Sequence, residues 1–79
     1  MPRYFFSCEG TESFTDTIGT ELPDDAAARV QAITNAAEVL RDHPAKFAGS
    51  PLWRVFVTDE QGRSVFALRL EEESDHGRA

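Results

Sequence analysis

The feature that most limits the fold of this chain is a double run of alternating apolar and polar residues. The run spans residues 53–70, WRVFVTDEQGRSVFALRL, and its two halves flank the turn-forming stretch Asp59–Gly62. Successive side chains of a β-strand point to opposite faces of a sheet, and glycine supplies the positive φ that tight turns require. The pattern therefore predicts an antiparallel β-hairpin.

Two registers of this hairpin place Gly62 in the turn. A three-residue loop puts Val57 opposite Val65 and mixes polar and apolar residues on both faces, whereas a four-residue loop puts Val55 opposite Phe66 and separates them. In the second register one face carries Trp53, Val55, Val57, Phe66, Leu68 and Leu70, and the other carries Arg54, Phe56, Thr58, Arg63, Val65, Ala67 and Arg69. Because a slip of one residue turns a whole strand over, this separation favours the four-residue loop.

The N-terminal part of the chain predicts two more strands. The aromatic run Tyr4–Phe6 lies within a predicted strand over Arg3–Cys8, and the side that carries Tyr4, Phe6 and Cys8 is the more apolar one. We expect that side to face the core. The stretch Ser13–Thr17, rich in Ser and Thr, predicts a weaker strand that returns beside the first.

The segment PDDAAARVQAITNAAEVLRDHP predicts a helix. Asp24 is placed to cap its N-terminus, and Pro44 disfavours helix in the residue before it, so the helix should end near Asp42. The stripe expected to face the core consists of Ala26, Val30, Ile33, Ala37 and Leu40. A second, narrower stripe consists of Ala28, Ala32, Ala36 and Val39, where small residues would let another helix come close, although alanine is also simply the best helix former.

These elements predict an α+β fold of order β-β-α-β-β, a two-layer sandwich in which one helix covers one face of a four-stranded antiparallel sheet. We expect a single domain over residues 1–70, with Phe47 closing one end of the core. Residues 71–79 carry four acids and one arginine and are expected to form an unstructured acidic tail.

The composition argues against several classes of function. A net charge of −6 disfavours nucleic acid as a partner, since phosphate binding needs a cationic surface. We expect no membrane span and no signal peptide, and hence a cytoplasmic protein. A lone cysteine with two histidines makes neither a disulfide nor a zinc site. The spacing of Glu9, Glu12 and Asp16 does not match a calcium loop, so we expect no metal and no cofactor.

Residues of the types that carry catalysis are isolated from one another in the sequence. Cys8 lies in the inward pattern of its strand and is interpreted as a small core residue, while neither His43 nor His76 has an identifiable triad partner. The serines lack a nucleophile elbow, and the glycines are dispersed as turn residues. We therefore expect no catalytic residue.

The back of the sheet, away from the helix, is the predicted partner surface, because no remaining element is available to cover it. Its residues are Phe5, Arg54, Phe56, Val65, Ala67 and Arg69. Burying a phenylalanine side chain contributes about 1.5–3 kcal/mol, which is large for a domain this small. The leading hypothesis is a non-enzymatic interaction or regulatory module, working as a homodimer or with another protein. The alternative is an enzyme or anion-binding protein whose site forms at a dimer interface lined by Arg3, Arg54 and Arg69.

Four segments, MPRYFF, GTELPDDAAAR, DHPAKF and WRVFVTDEQGRSVFAL, resemble a family of small bacterial proteins of unknown function. The resemblance extends to about Leu70 and implies a stand-alone domain, but it brings no reaction, cofactor or site residue. Asp25, where the family often has an apolar residue, and Cys8, where an aliphatic residue or Thr is common, depart from the pattern. Both departures concern packing rather than activity.

Overall fold

The computed structural model describes residues 1–10, 13–48 and 52–72. Its strands are β1 (Arg3–Gly10), β2 (Thr20–Glu21), β3 (Trp53–Thr58) and β4 (Ser64–Leu70), and its helices are α1 (Asp25–Asp42) and α2 (Pro44–Phe47). The strands form one antiparallel sheet in the order β2-β1-β3-β4, with α1 packed on one face. The predicted β-β-α-β-β fold is confirmed, with α2 as a short addition. The expected unstructured tail comprises residues 71–79, of which residues 73–79 lie outside the described residues.

The second strand lies later in the chain than predicted. The pairing that defines β2 is between Thr20–Glu21 and the start of β1, whereas the expected strand over Ser13–Thr17 is reduced to a single bridge between Phe14 and Cys8. The chain bends between these two contacts because the Asp16 carboxylate accepts the backbone N–H groups of Ile18 and Gly19, each at 3.0 Å. The prediction of a strand over Ser13–Thr17 is therefore wrong.

Helix α1 has the predicted ends. The Asp24 side chain accepts the backbone N–H of Ala27 at 2.9 Å, and this bond satisfies one of the amides that a helix leaves free at its N-terminus. At the other end, the backbone N–H of His43 donates to the Val39 carbonyl at 2.9 Å before Pro44 starts the next helix.

The helix buries the other of its two stripes. Ala28, Ala32 and Ala36 are 0%, 0% and 3% exposed, whereas Val30 and Ile33 are 63% and 45% exposed. The predicted core stripe is therefore wrong, since Ala26 and Ala37 are also exposed and only Leu40 packs partly against the core. The physical reason is that the sheet already fills the interface with large side chains, among them Tyr4 and Trp53, so the helix can lie close only where its own residues are small.

The hairpin starts in the three-residue register and then shifts by one residue, and the predicted four-residue register does not occur. At the turn, Gly62 has a φ of 79°, and the backbone N–H of Asp59 donates to the Arg63 carbonyl at 3.0 Å, which makes a three-residue loop. A β-bulge at Val57–Thr58 then shifts the register, so that Val57 pairs with Phe66. The bulge inserts one residue, Val65, and thereby returns the apolar residues to a common face.

The predicted division of the hairpin into two faces is therefore largely confirmed, but the predicted pairing is wrong. Val55 pairs with Leu68, not with Phe66, and Trp53 pairs with Leu70. Trp53, Val55 and Val57 are all buried on the helix side.

The core consists of two neighbouring clusters beneath α1. The buried members of the first are Tyr4, Ala28, Ala32 and Val57, and those of the second are Ala36, Trp53 and Val55. The Phe47 ring packs on the Trp53 ring, with centroids 4.6 Å apart, and closes the second cluster as predicted. The Tyr4 hydroxyl donates to Asp25 Oδ1 at 2.7 Å. This bond, together with burial and the negative charge of Asp25, raises the pKa of Tyr4 to about 12.

Candidate functional site

The sheet brings most of the predicted partner surface together on its back face. We use this name for Phe5, Arg54, Phe56, Ala67 and Arg69. Phe56 pairs with Ala67 on one side and Ser7 on the other, and Arg54 pairs with Arg69. The two phenylalanine side chains are half-buried and Ala67 is exposed.

Val65 is the one predicted member that the structure places elsewhere. It is the residue that the bulge inserts into β4, and it packs against the first core cluster with Phe66. The sequence gives two signals at this position, strict alternation and the turn that Gly62 favours. The register that the turn sets differs by one residue from the register that alternation requires, and the bulge makes up this difference.

Part of the back face is covered by the chain itself, contrary to the expectation that no element was available. Gly19 lies against Arg3 and Phe5, so closely that a Cβ at this position would be 3.0 Å from a ring carbon of Phe5. The Arg3 guanidinium also donates to the Ile18 carbonyl at 3.0 Å. Phe5 is therefore less open than the sequence indicated.

The arginines near the back face are each paired with a carboxylate. Arg3 contacts Glu21 at 3.1 Å, Arg54 contacts Glu9 at 3.3 Å, and Arg69 contacts Glu71 at 3.4 Å. The Arg54 guanidinium also lies over the Phe56 ring, 4.8 Å from its centroid, in a cation–π contact. A small anion would compete with these glutamates for the arginines, which weakens the anion-binding alternative.

A second open surface lies on α1, where sequence reasoning had placed core residues. We call it the helix stripe; its members are Ala26, Val30, Ile33 and Ala37. Its two large residues are among the most exposed apolar side chains of the described chain. The signal for this stripe was present in the sequence, because its helical spacing was recognised, but the side of the helix that it occupies was assigned wrongly.

A cavity of about 330 Å³ lies between α1 and β1, and its walls include Cys8, Phe14, Val39 and Trp53. Cys8 is half-buried and packs against the second core cluster, in keeping with its interpretation as a packing residue. The described residues that line this cavity include no histidine and no lysine to activate the thiol. His43 is exposed at the junction of the two helices, and His76 lies outside the described residues.

Two of the three acids considered as cation ligands have structural partners. Glu9 pairs with Arg54, and both oxygens of Asp16 accept backbone N–H groups, from Phe6 at 3.1 Å and from Ile18 and Gly19. Glu12 lies outside the described residues. Across ranges 1–10, 13–48 and 52–72, no group of three or more His, Cys, Asp or Glu side chains is arranged to hold a metal ion.

The Asp16 carboxylate takes the place of a neighbouring strand beside Phe6 of β1, whose backbone N–H it accepts. Burial raises the pKa of its carboxyl, but the N–H bonds from Gly19, Phe6 and Ile18 outweigh that effect and leave the pKa below its ordinary value. A lowered pKa means that the carboxylate stabilises the fold above the ordinary aspartate range, and this stabilisation is lost as the pH falls through the lowered pKa.

We therefore expect the backbone amides of Phe6, Ile18 and Gly19 to lose protection from hydrogen exchange on acidification, before the amide of Val57 in the central strand does. Asp16→Asn should lower their protection at neutral pH and remove the pH dependence. Protection factors measured by NMR at several pH values test this. Equal protection of Phe6 in the wild type and in Asp16→Asn would contradict it.

The architecture defines a class, a small two-layer α+β module with one main helix on a four-stranded sheet. The chain belongs to the family described as Domain of unknown function (DUF6894), whose model matches residues 3–71. No curated protein and no solved structure matches the chain. None of the helices in the described ranges is long and apolar enough to cross a membrane.

Proposed function

We propose that this protein is a non-enzymatic interaction or regulatory module of the cytoplasm, working as a homodimer or as a subunit of a larger assembly. The observation that supports the proposal most is the apolar surface that the fold leaves open. The phenylalanines of the back face are only half-buried, and the helix stripe exposes Val30 and Ile33. A domain of this length buries only roughly 60–65% of its unfolded surface by itself, so a partner that covers such a face stabilises it.

The back face is the proposed contact surface for a partner protein. Phe56 lies near its middle, flanked by Ala67 and Ser7, and the ion-paired arginines Arg54 and Arg69 lie beside it. An apolar centre with a polar rim is the usual anatomy of a protein–protein interface, in which aromatic residues and arginine are enriched.

The test is a comparison of the wild-type chain with Ala67→Glu. Ala67 is exposed, so the charge should enter the back face without disturbing the core. Both proteins are used as bait in the native cell extract, and the recovered proteins are quantified by mass spectrometry. A protein recovered by the wild type and lost with Ala67→Glu supports the proposal.

The matched control is Ala45→Glu, which makes the same substitution at an exposed alanine of α2, away from the sheet, and should retain the partner. If neither a second copy nor another protein binds the wild type, or if Ala67→Glu changes nothing, the back face is not the partner surface.

A further inference from the structure

We propose that the outer edge of β4 is a self-association site, at which β4 of a second copy of this chain adds as an antiparallel strand and joins the two four-stranded sheets into one. The proposal goes beyond the proposed function, because it assigns the homodimer to the backbone edge of the sheet and not to the back face. The contact it describes consists mainly of main-chain hydrogen bonds.

The edge of the sheet formed by β1 and β2 is closed to a further strand. Thr20–Glu21 pairs with the start of β1, and the Asp16 carboxylate accepts the backbone N–H of Phe6. Beyond these contacts, Cys8 and Phe14 exchange two backbone hydrogen bonds, each of 2.9 Å. The outward backbone groups along this side of β1 therefore have partners within the chain.

The opposite edge, β4, is open. Within the ranges that the structure describes, no strand pairs with the outer side of β4. Its seven residues, SVFALRL, include neither proline nor lysine, which commonly protect an edge, and their one charged residue is Arg69. The bulge at Val65 lies near the beginning of the strand and leaves Phe66–Leu70 regular. Alternate residues of such a strand direct their N–H and C=O groups outward, and another β-strand is the partner that satisfies this row.

Helix α1 offers apolar cover for a strand added at this edge. The Arg29 guanidinium lies over the Phe66 ring, 5.0 Å from its centroid, so this side of α1 lies above β4. Ile33 follows Arg29 by one helical turn, lies on the same side of the helix and is 45% exposed. Phe66 and Leu68 pack against the core clusters but remain half-buried. The occupant should therefore be a strand that presents apolar residues on its helix side.

A second copy of β4 is such a strand. The regular segment Phe66–Leu70 is centred on Leu68, so the antiparallel pairing that overlaps it fully places the two Leu68 residues opposite each other. The same pairing places Phe66 opposite the second copy's Leu70. All three residues pack against the core clusters on the helix side, so the pairing extends the apolar layer of each copy into the other.

The closed edge favours a second copy over an unlimited series of copies. A two-fold axis through the paired β4 strands uses the open edge of both copies at once. The outer edges of the joined sheet are then the two closed edges described above, which offer no further strand pairing. Edge-to-edge association therefore stops at a dimer instead of continuing into a fibre.

The first experiment measures the mass of the full chain by size-exclusion chromatography with light scattering, from micromolar to millimolar protein. We expect a monomer–dimer equilibrium in the wild type. The proposed register places residue 67 of each copy opposite Arg69 of the other, so Ala67→Glu introduces opposite charges and Ala67→Arg like charges. The dissociation constant of Ala67→Arg should be at least about fivefold above that of Ala67→Glu, because the symmetry makes the contact twice. Ala67→Glu should not weaken the wild-type dimer.

Circular dichroism should show that both variants keep the wild-type fold, because Ala67 is exposed.

The second experiment measures hydrogen exchange of the backbone amides by NMR in the wild type at low and at high protein concentration. Along Phe66–Leu70 only every second amide faces the second copy, so the gain of protection should alternate from residue to residue. With about nine-tenths of the chain dimeric, the outward amides should gain about tenfold, because they exchange only from the monomer. The amide of Ala45, in α2 and away from the sheet, should not change.

The outcomes separate this inference from the proposed function. A wild-type chain that stays monomeric throughout the series, or protection of β4 without alternation, would overturn the edge pairing, and the capture experiment would still decide the back face. Equal weakening of the dimer by Ala67→Glu and Ala67→Arg would also overturn it and would support the back face as the dimer surface. Loss of another protein with Ala67→Glu, while the dimer persists, would support both proposals.

Discussion

Replacing Trp53 with alanine is expected to remove about 3–5 kcal/mol from the free energy of unfolding, the usual cost of deleting a large buried aromatic side chain. Trp53 is 3% exposed and joins three parts of the molecule, since it lies on β3, belongs to the second core cluster with Ala36 and packs against the tilted ring of Phe47 in α2. A chain of 79 residues has a total stability of roughly 4–12 kcal/mol. The variant should therefore be close to unfolded at ambient temperature, as urea denaturation followed by circular dichroism would show.

The matched control is Trp53→Phe, and we expect it to cost far less. Phenylalanine keeps an aromatic ring against Phe47 and removes the indole N–H. That N–H is buried without a hydrogen-bond partner among the residues that the structure describes, so losing it relieves a desolvation cost and offsets part of the lost packing. Equal destabilisation by the two substitutions would show that the N–H has a partner, and a small effect of Trp53→Ala would show that the second cluster contributes little.

The sequence predicts the sheet well because alternation with period two reports directly on which residues share a face. The hairpin residues assigned to the core side, Trp53, Val55 and Val57, are buried there. The pairing between the strands was not predictable in the same way. It depends on a bulge at Val65, and a bulge alters the count of residues without altering the apolar pattern on either side of it.

The helix shows where hydrophobicity misleads. Val30 and Ile33 are more hydrophobic than alanine, so the helical pattern ranks their stripe as the core. Which stripe is buried depends instead on the space between the helix and the sheet, and the side chains of Tyr4, Val57 and Trp53 fill that space. Both stripes are visible in the sequence, but the sequence carries no measure of the space between the layers.

The two candidate surfaces also differ in how far the sequence could predict them. Five of the six residues predicted for the back face share it, because alternation alone places them there. The helix stripe was missed as a surface because the same apolar residues were assigned to the interior. The partial cover over Phe5 was missed because it arises from Gly19 and the Asp16 turn, a local backbone arrangement without periodicity.

Enlarging a buried alanine of α1 should be strongly destabilising if the helix lies as close to the sheet as its small residues allow. Ala32 is 0% exposed and belongs to the first core cluster with Tyr4 and Val57. We expect Ala32→Leu to lower the free energy of unfolding by about 1–3 kcal/mol, because overpacking forces side chains off their rotamers or moves the helix outward. Urea denaturation at a fixed low protein concentration measures the change.

The same substitution at an exposed alanine, Ala45→Leu in α2, is the control and should change the stability by less than about 0.5 kcal/mol. The complementary variant is Ile33→Ala, which removes a large apolar side chain from the helix stripe. Truncating an isoleucine in a core costs about 2–5 kcal/mol, but at a site that is 45% exposed we expect only a small part of this. A large loss in Ile33→Ala together with tolerance of Ala32→Leu would mean that α1 is rotated and that Val30 and Ile33 face the sheet. In that case the helix stripe would be part of the core and not an open surface.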